Sequence, residues 1–87
     1  MYYIYMLRLN NNQFYTGFTK HIKQRVAEHE RGNVKSTKGR RPVILVHYES
    51  YMLESDARRR ERFLKTSDGK NLLKRQLSDL FKKFNKE

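Results

Sequence analysis

The chain has no cysteine, no tryptophan, a single proline and only four glycines. The lack of cysteine excludes a disulfide scaffold, a zinc finger, an iron–sulfur centre and a thiol nucleophile. It also fits a reducing compartment, so a cytoplasmic location is expected. Acidic residues are scarce, nine against 20 lysines and arginines, and the formal net charge is +11. Long apolar runs are missing too. The longest, Met1 to Leu7, has seven residues, far short of the roughly 18 that a membrane span needs. No basic leader precedes it and no cleavage site follows it, so neither a secretory leader nor a membrane partner is expected. What remains in 87 residues is enough for one domain, 1–87, with 37% apolar side chains that include six tyrosines and five phenylalanines.

The charge is patterned. Residues 20–41 carry eight bases and two acids, and residues 58–87 carry eleven bases and four acids. Residues 1–19 hold one base and no acid, and residues 42–57 hold three acids and no base. The near-neutral and acidic stretches are also the ones rich in β-formers. This describes a small scaffold surrounded by basic helices and loops. Such a balance points to a polyanionic partner, nucleic acid before an anionic membrane.

Tyr2 to Leu9 is dense in aromatic and branched residues and predicts a strand. Asn10, Asn11 and Asn12 predict a turn, because asparagine tolerates positive φ and bonds its own backbone. Gln13 to Phe18 predicts a second strand, closing a hairpin. Thr19 can cap a helix over Lys20 to Arg31, which Gly32 and Asn33 stop. Residues 33–41 read as a basic loop. Pro42 to Glu49 predicts a third strand whose Val-Ile-Leu-Val centre suits the middle of the sheet. Leu53, Ala57, Glu61 and Leu64 mark one face of a second helix, with a break at Asp68 and Gly69. Leu72 to Phe84 carries the apolar stripe of a third, amphipathic helix at 70–84. The expected architecture is therefore α+β in the order ββαβαα. It comprises a three-stranded, mainly antiparallel sheet, a hairpin plus a central third strand, flanked by three helices.

Against this frame stand Tyr3-Ile4-Tyr5, Tyr15-Thr16-Gly17, Arg25 ten residues after Tyr15, His29 four later, and Glu61 within Ala57 to Lys65. In this order and at these spacings the chain resembles the GIY-YIG nuclease family, and its small stand-alone members in particular, over about residues 2–65. The resemblance implies phosphodiester hydrolysis, with DNA as the substrate. Tyr5 and Tyr15 would be catalytic, one of them the base for the attacking water. Arg25 would stabilise the phosphate, and Glu61 would bind one divalent ion, Mg²⁺ or Mn²⁺, on the leaving side. Physical chemistry agrees with these residue types. Arginine's planar fork suits a phosphate and never titrates near neutral pH. His29 lies one helical turn from Arg25 and shares its face. Mg²⁺ commonly takes one or two carboxylates plus waters and phosphate oxygens. Glu61 is flanked by Arg60 and Arg62, not by acids, which favours one metal over two. A phenol with an ordinary pKa of about 10 is a poor base at neutral pH, so Arg25, the metal or His29 must assist.

Two departures from the family's pattern stand out. Tyr3 replaces the first glycine, and Phe18 follows Tyr-Thr-Gly where some members carry a lysine that could assist the base. Asn71 does not match the spacing of a further asparagine found in some members. Other readings exist for each residue. Gly17 has a structural role where backbone must approach closely. Glu61, on an apolar helix face, needs a metal or an ion pair with Arg25 or a lysine. Lys38, Arg40, Arg41 and Arg58 are the candidate nucleic-acid contacts, which would position a substrate without reading its bases. The competing function is a basic DNA- or RNA-binding module on the same scaffold, non-catalytic or dependent on a protein partner.

Overall fold

The computed structural model describes residues 1–84. Strand β1 (Tyr2–Arg8) has four consecutive buried residues, Ile4, Tyr5, Met6 and Leu7. In a strand these alternate between faces, so both faces of β1 are covered. It pairs antiparallel with β2 (Phe14–Thr19) on one side and with β3 (Ile44–Tyr51) on the other. The sheet order is β2-β1-β3. The strand expected in the centre is thus at an edge, and the first strand takes the middle. The tyrosines of β1 disguise it as amphipathic, whereas the tertiary structure buries Tyr5 whole. The third strand also starts two residues late, and Ile44 is 44% exposed. A bulge between Met6 and Leu7 sets Val46 opposite no residue of β1.

The turn forms as its asparagines predict. Asn12 sits at φ 67°, and Leu9 N–H donates to Gln13 O at 2.8 Å. Helix α1 (Ile22–Glu30) follows. Thr19 does not cap it. Its hydroxyl instead accepts from His21 N–H at 3.0 Å, turning the chain into the helix. Gly32 ends α1 at φ 82°, a left-handed position that glycine occupies without strain. Within the basic loop, Lys38–Arg40 form a 3-10 turn.

Helix α2 (Glu54–Leu64) buries Ala57 and Leu64 but not Leu53, which is 58% exposed. The stretch expected to break at Asp68 and Gly69 instead opens helix α3 (Ser67–Gln76), capped by Thr66, whose hydroxyl accepts from Gly69 N–H at 3.0 Å. Gly69 is there because any Cβ would collide with the Phe63 carbonyl at the end of α2. The single last helix expected over 70–84 is two, α3 and α4 (Ser78–Phe84), parted at Leu77. Among the described residues, four α-helices therefore stand where three were expected.

Two apolar clusters form, one per face of the sheet. Ile4 and Met6 pack with Ala57, Leu64 and Leu73, under α2 and α3. Tyr5, Leu7, Leu9 and Val43 pack with Tyr15 and Ile22, under α1. Among the described residues no helix is long and apolar enough to cross a membrane.

Candidate active site

Strand alternation places the two motif tyrosines. Residues 5, 15 and 17 all face α1, while 14, 16 and 18 face the other way. The register sets Tyr5 opposite Gly17 and Leu7 opposite Tyr15, so the tyrosines are diagonal neighbours, with ring centroids 6.3 Å apart. Gly17 explains itself here. A Cβ on it would lie 2.8 Å from Cε1 of Tyr5 and closer still to its Cζ and Oη. The third residue of Tyr-Thr-Gly is bare so that the Tyr5 ring can lie across the strand.

His29, on α1, reaches the same place. Its ring centroid is 5.5 Å from that of Tyr5 and 5.2 Å from that of Tyr15. Its Nε2 and the Tyr5 hydroxyl hydrogen-bond at 2.8 Å, and its Nδ1 meets the Thr37 hydroxyl at 2.7 Å. Tyr5 is 1% exposed, and His29 and Thr37 are fully buried. The three form a satisfied polar chain in the interior. Burial lowers the pKa of His29, and the Arg25 charge lowers it further, so the ring is neutral at pH 7 and one nitrogen donates while the other accepts. Burial likewise pushes the Tyr5 phenol up to about 12, although Arg25 pulls against it. Thr37 joins the candidate site without any sequence motif marking it. A threonine in a polar, basic loop gives no local sign of burial.

Arg25 stands one turn before His29, partly exposed, and donates from Nη1 to Glu28 at 3.0 Å. The bond to Glu28 raises its pKa, as does its proximity to Tyr5, so its charge is fixed. Lys38, Arg40 and Arg41 follow Thr37 directly. Arg40 N–H donates to Thr37 O at 2.9 Å, and the Arg40 and Arg41 carbonyls accept from Asn10 at the hairpin turn. One short loop thus buries the hydroxyl that holds His29 and presents three exposed cations beside it.

Glu61 is not in this group. It lies on α2, across the sheet from α1, and among the described residues no hydrogen bond or ion pair joins it to Tyr5, Tyr15, Arg25 or His29. Its side chain is 17% exposed and meets Lys65 Nζ at 3.2 Å and Arg58 Nη1 at 3.6 Å. The partner it finds is therefore a lysine, as one expectation held, and Arg58 in place of Arg25. The Arg58 guanidinium also lies 3.7 Å from the ring centroid of Phe18, on β2. Among the described residues no cluster of three acids, histidines or cysteines exists. A lone carboxylate fits an ion that draws its other ligands from water and phosphate.

The basic residues of α2 divide as a helix requires. Arg59 pairs with Asp56, and Arg60 grips Glu49 of β3 through Nε at 2.9 Å and Nη2 at 3.2 Å. Glu49 also accepts from the Tyr51 hydroxyl at 2.6 Å and bonds His47 Nε2 at 3.0 Å. This second polar group ties the sheet to α2, away from the tyrosines.

Comparison with known proteins identifies the family. A family model described as the GIY-YIG catalytic domain matches residues 1–75. A UPF0213 protein of Staphylococcus haemolyticus is 40% identical over 74 residues, which span 84% of this chain and 90% of that protein. One from Halobacterium salinarum is 44% identical over 62 residues, 70% of this chain and 80% of that one. The solution structure of a UPF0213 protein from Bacillus halodurans superposes with a TM-score of 0.57 at 30% identity, covering 88% of this chain and 86% of that one. With its motif tyrosines, glycine, arginine and histidine gathered on one sheet face, the chain belongs to the GIY-YIG catalytic domain family.

Proposed function

We propose that this protein is a metal-dependent endonuclease that hydrolyses phosphodiester bonds of DNA. The observation that carries the reading is the convergence of Tyr5, Tyr15, Arg25 and His29 at one place on the sheet, built around a 2.8 Å phenol–imidazole bond. Arg25 faces the scissile phosphate and offsets the charge that grows on it in the transition state. Tyr15 is the phenol that meets the attacking water, since it is only half-buried. Tyr5 is enclosed, with its pKa at about 12, and serves to hold His29 and the strand geometry. Neutral His29 is able to take up a proton passed along the chain. Glu61 is the residue that would hold Mg²⁺ or Mn²⁺, which supplies positive charge for the departing oxygen. Lys38, Arg40, Arg41 and Arg58 hold flanking phosphates and give affinity without sequence reading.

A second reading has one observation in its favour. Both oxygens of Glu61 already meet cations, as in a protein that only binds. One experiment separates the two. Wild type, Glu61→Ala and Tyr15→Phe are incubated with labelled duplex, branched and single-stranded DNA and with RNA, in Mg²⁺, Mn²⁺ or EDTA. Cleavage that needs the metal and Glu61, and drops about 100-fold in Tyr15→Phe, supports the nuclease. Binding with steep salt dependence and no cleavage by any form supports the module.

A further inference from the structure

On the opposite side of β2 from Tyr15 lies a cleft of about 470 Å³, between the sheet and helices α3 and α4. It runs on into a smaller one of about 250 Å³ that shares Phe14, Lys74 and Phe81 and reaches Phe84. Phe14 and Phe81 form its aromatic wall, with ring centroids 4.7 Å apart and planes tilted by 48°. Lys70 and Lys74 line it one helical turn apart, with the amide of Asn71 between them in the chain. Among the described residues neither lysine has a carboxylate within 4.0 Å. Two like charges at this spacing repel, and a seam that existed only to close the core would have apolar chains there. At the far end Arg8 lies 4.5 Å from the Phe84 ring centroid and donates from Nη2 to Asn12 Oδ1.

We propose that this cleft is a subsite for one unpaired nucleobase of the bound nucleic-acid strand. The base stacks on the Phe14–Phe81 wall, the Asn71 amide meets its polar edge, and Lys70 and Lys74 hold the phosphates on either side. Aromatic faces, an amide and unpaired cations in one groove are the chemistry that unstacked bases require. The volume suits one nucleotide. Continuity supports the assignment. Thr16, which lines the cleft, sits between Tyr15 and Gly17 on an edge strand. A strand crossing that free edge therefore meets the tyrosines on one face and the cleft on the other. The inference rests on the nuclease reading for the presence of a nucleic acid.

The test is an anisotropy titration of the full chain in EDTA, with a labelled single strand of about 20 nucleotides and with the same backbone made of abasic sites. Wild type is expected to prefer the strand that bears bases by about tenfold, and Phe81→Leu, folded by circular dichroism, to lose that preference. Lys70→Gln with Lys74→Gln, two exposed changes that leave the core alone, is expected to weaken both probes about tenfold. Equal affinity of wild type for the two probes, or full affinity of the double lysine variant, overturns the subsite. Glu61-dependent cleavage is assayed in parallel. If cleavage stands while the subsite results fail, only the subsite falls. If wild type neither binds nor cuts, the nuclease reading falls and the subsite with it.

Discussion

On one face of the sheet, Ile4 and Met6 meet Ala57, Leu64 and Leu73, all apolar. On the other, Tyr5 and Leu7 meet a helix that buries a histidine, which in turn holds a buried threonine. Strand β1 supplies both faces from alternate residues. The first face behaves as a core, where side chains interlock and removing one leaves a hole. The second behaves as a site, where each buried polar atom has a partner and removing one leaves an orphan. The energetic consequences differ accordingly. An apolar truncation removes stability and spares chemistry in the molecules that stay folded. A polar truncation removes modest stability and a larger share of chemistry.

Ile4→Ala tests the core side and should show the largest effect on folding. It empties a site that is 2% exposed, and the expected loss is about 3 kcal/mol, read from urea unfolding. Cleavage per folded molecule should be unchanged. A drop in that specific rate would mean that the two faces are coupled.

Glu49 marks the boundary, since it ties β3 to α2. Burial alone would raise its carboxyl, but bonds from Arg60, His47 and Tyr51 outweigh this and bring it from 4.5 down to about 2. The folded form therefore sheds this proton more easily than the unfolded form. The stabilisation is complete above about pH 4.5 and is lost as pH falls through about 2. Allowing for solvent screening, it is on the order of 2 kcal/mol. Glu49→Gln should flatten the acid limb of the stability curve in that window, and an unaltered limb would assign acid sensitivity elsewhere.

Gly17→Ala puts a methyl against the Tyr5 ring. Forcing that ring aside should cost about 1–2 kcal/mol, visible as a lower unfolding midpoint, together with a loss of cleavage. An unchanged midpoint would mean that the ring swings aside without cost. The smallest effect expected is that of Thr37→Val, about 1 kcal/mol in stability. It leaves His29 Nδ1 without its partner. Cleavage should fall about tenfold with its pH dependence shifted, as a positioning role requires, and an unshifted profile would make Thr37 purely structural.

Much of the site was legible in the sequence, because its signals are ordered along the chain. Tyr5, Tyr15 and Gly17 fall on hairpin strands of matching parity, and Arg25 and His29 fall on one helix face. Local geometry alone brings each set together. The asparagine turn and the glycine stop of α1 were legible for the same reason, since both rest on backbone preferences. The strand order was not. Val-Ile-Leu-Val looks more central than Tyr-Ile-Tyr-Met-Leu by hydropathy, yet only the latter is covered on both faces, and His29 satisfies its buried hydroxyl. Gly69 looked like a breaker because its crowding comes from the end of another helix.

Composition, patterning and motif order were enough to read a basic α+β chain of the GIY-YIG family, with its tyrosines, glycine, arginine and histidine in the family's order along the chain. Periodicity, turn chemistry and motif spacing are local quantities, readable without coordinates. The strand order, the burial of Thr37 against His29 and the pairing of Glu61 with Arg58 and Lys65 emerge only once the chain is folded. Those facts depend on which surfaces meet. Burial and pairing are properties of two segments at once, so neither segment's sequence carries them alone.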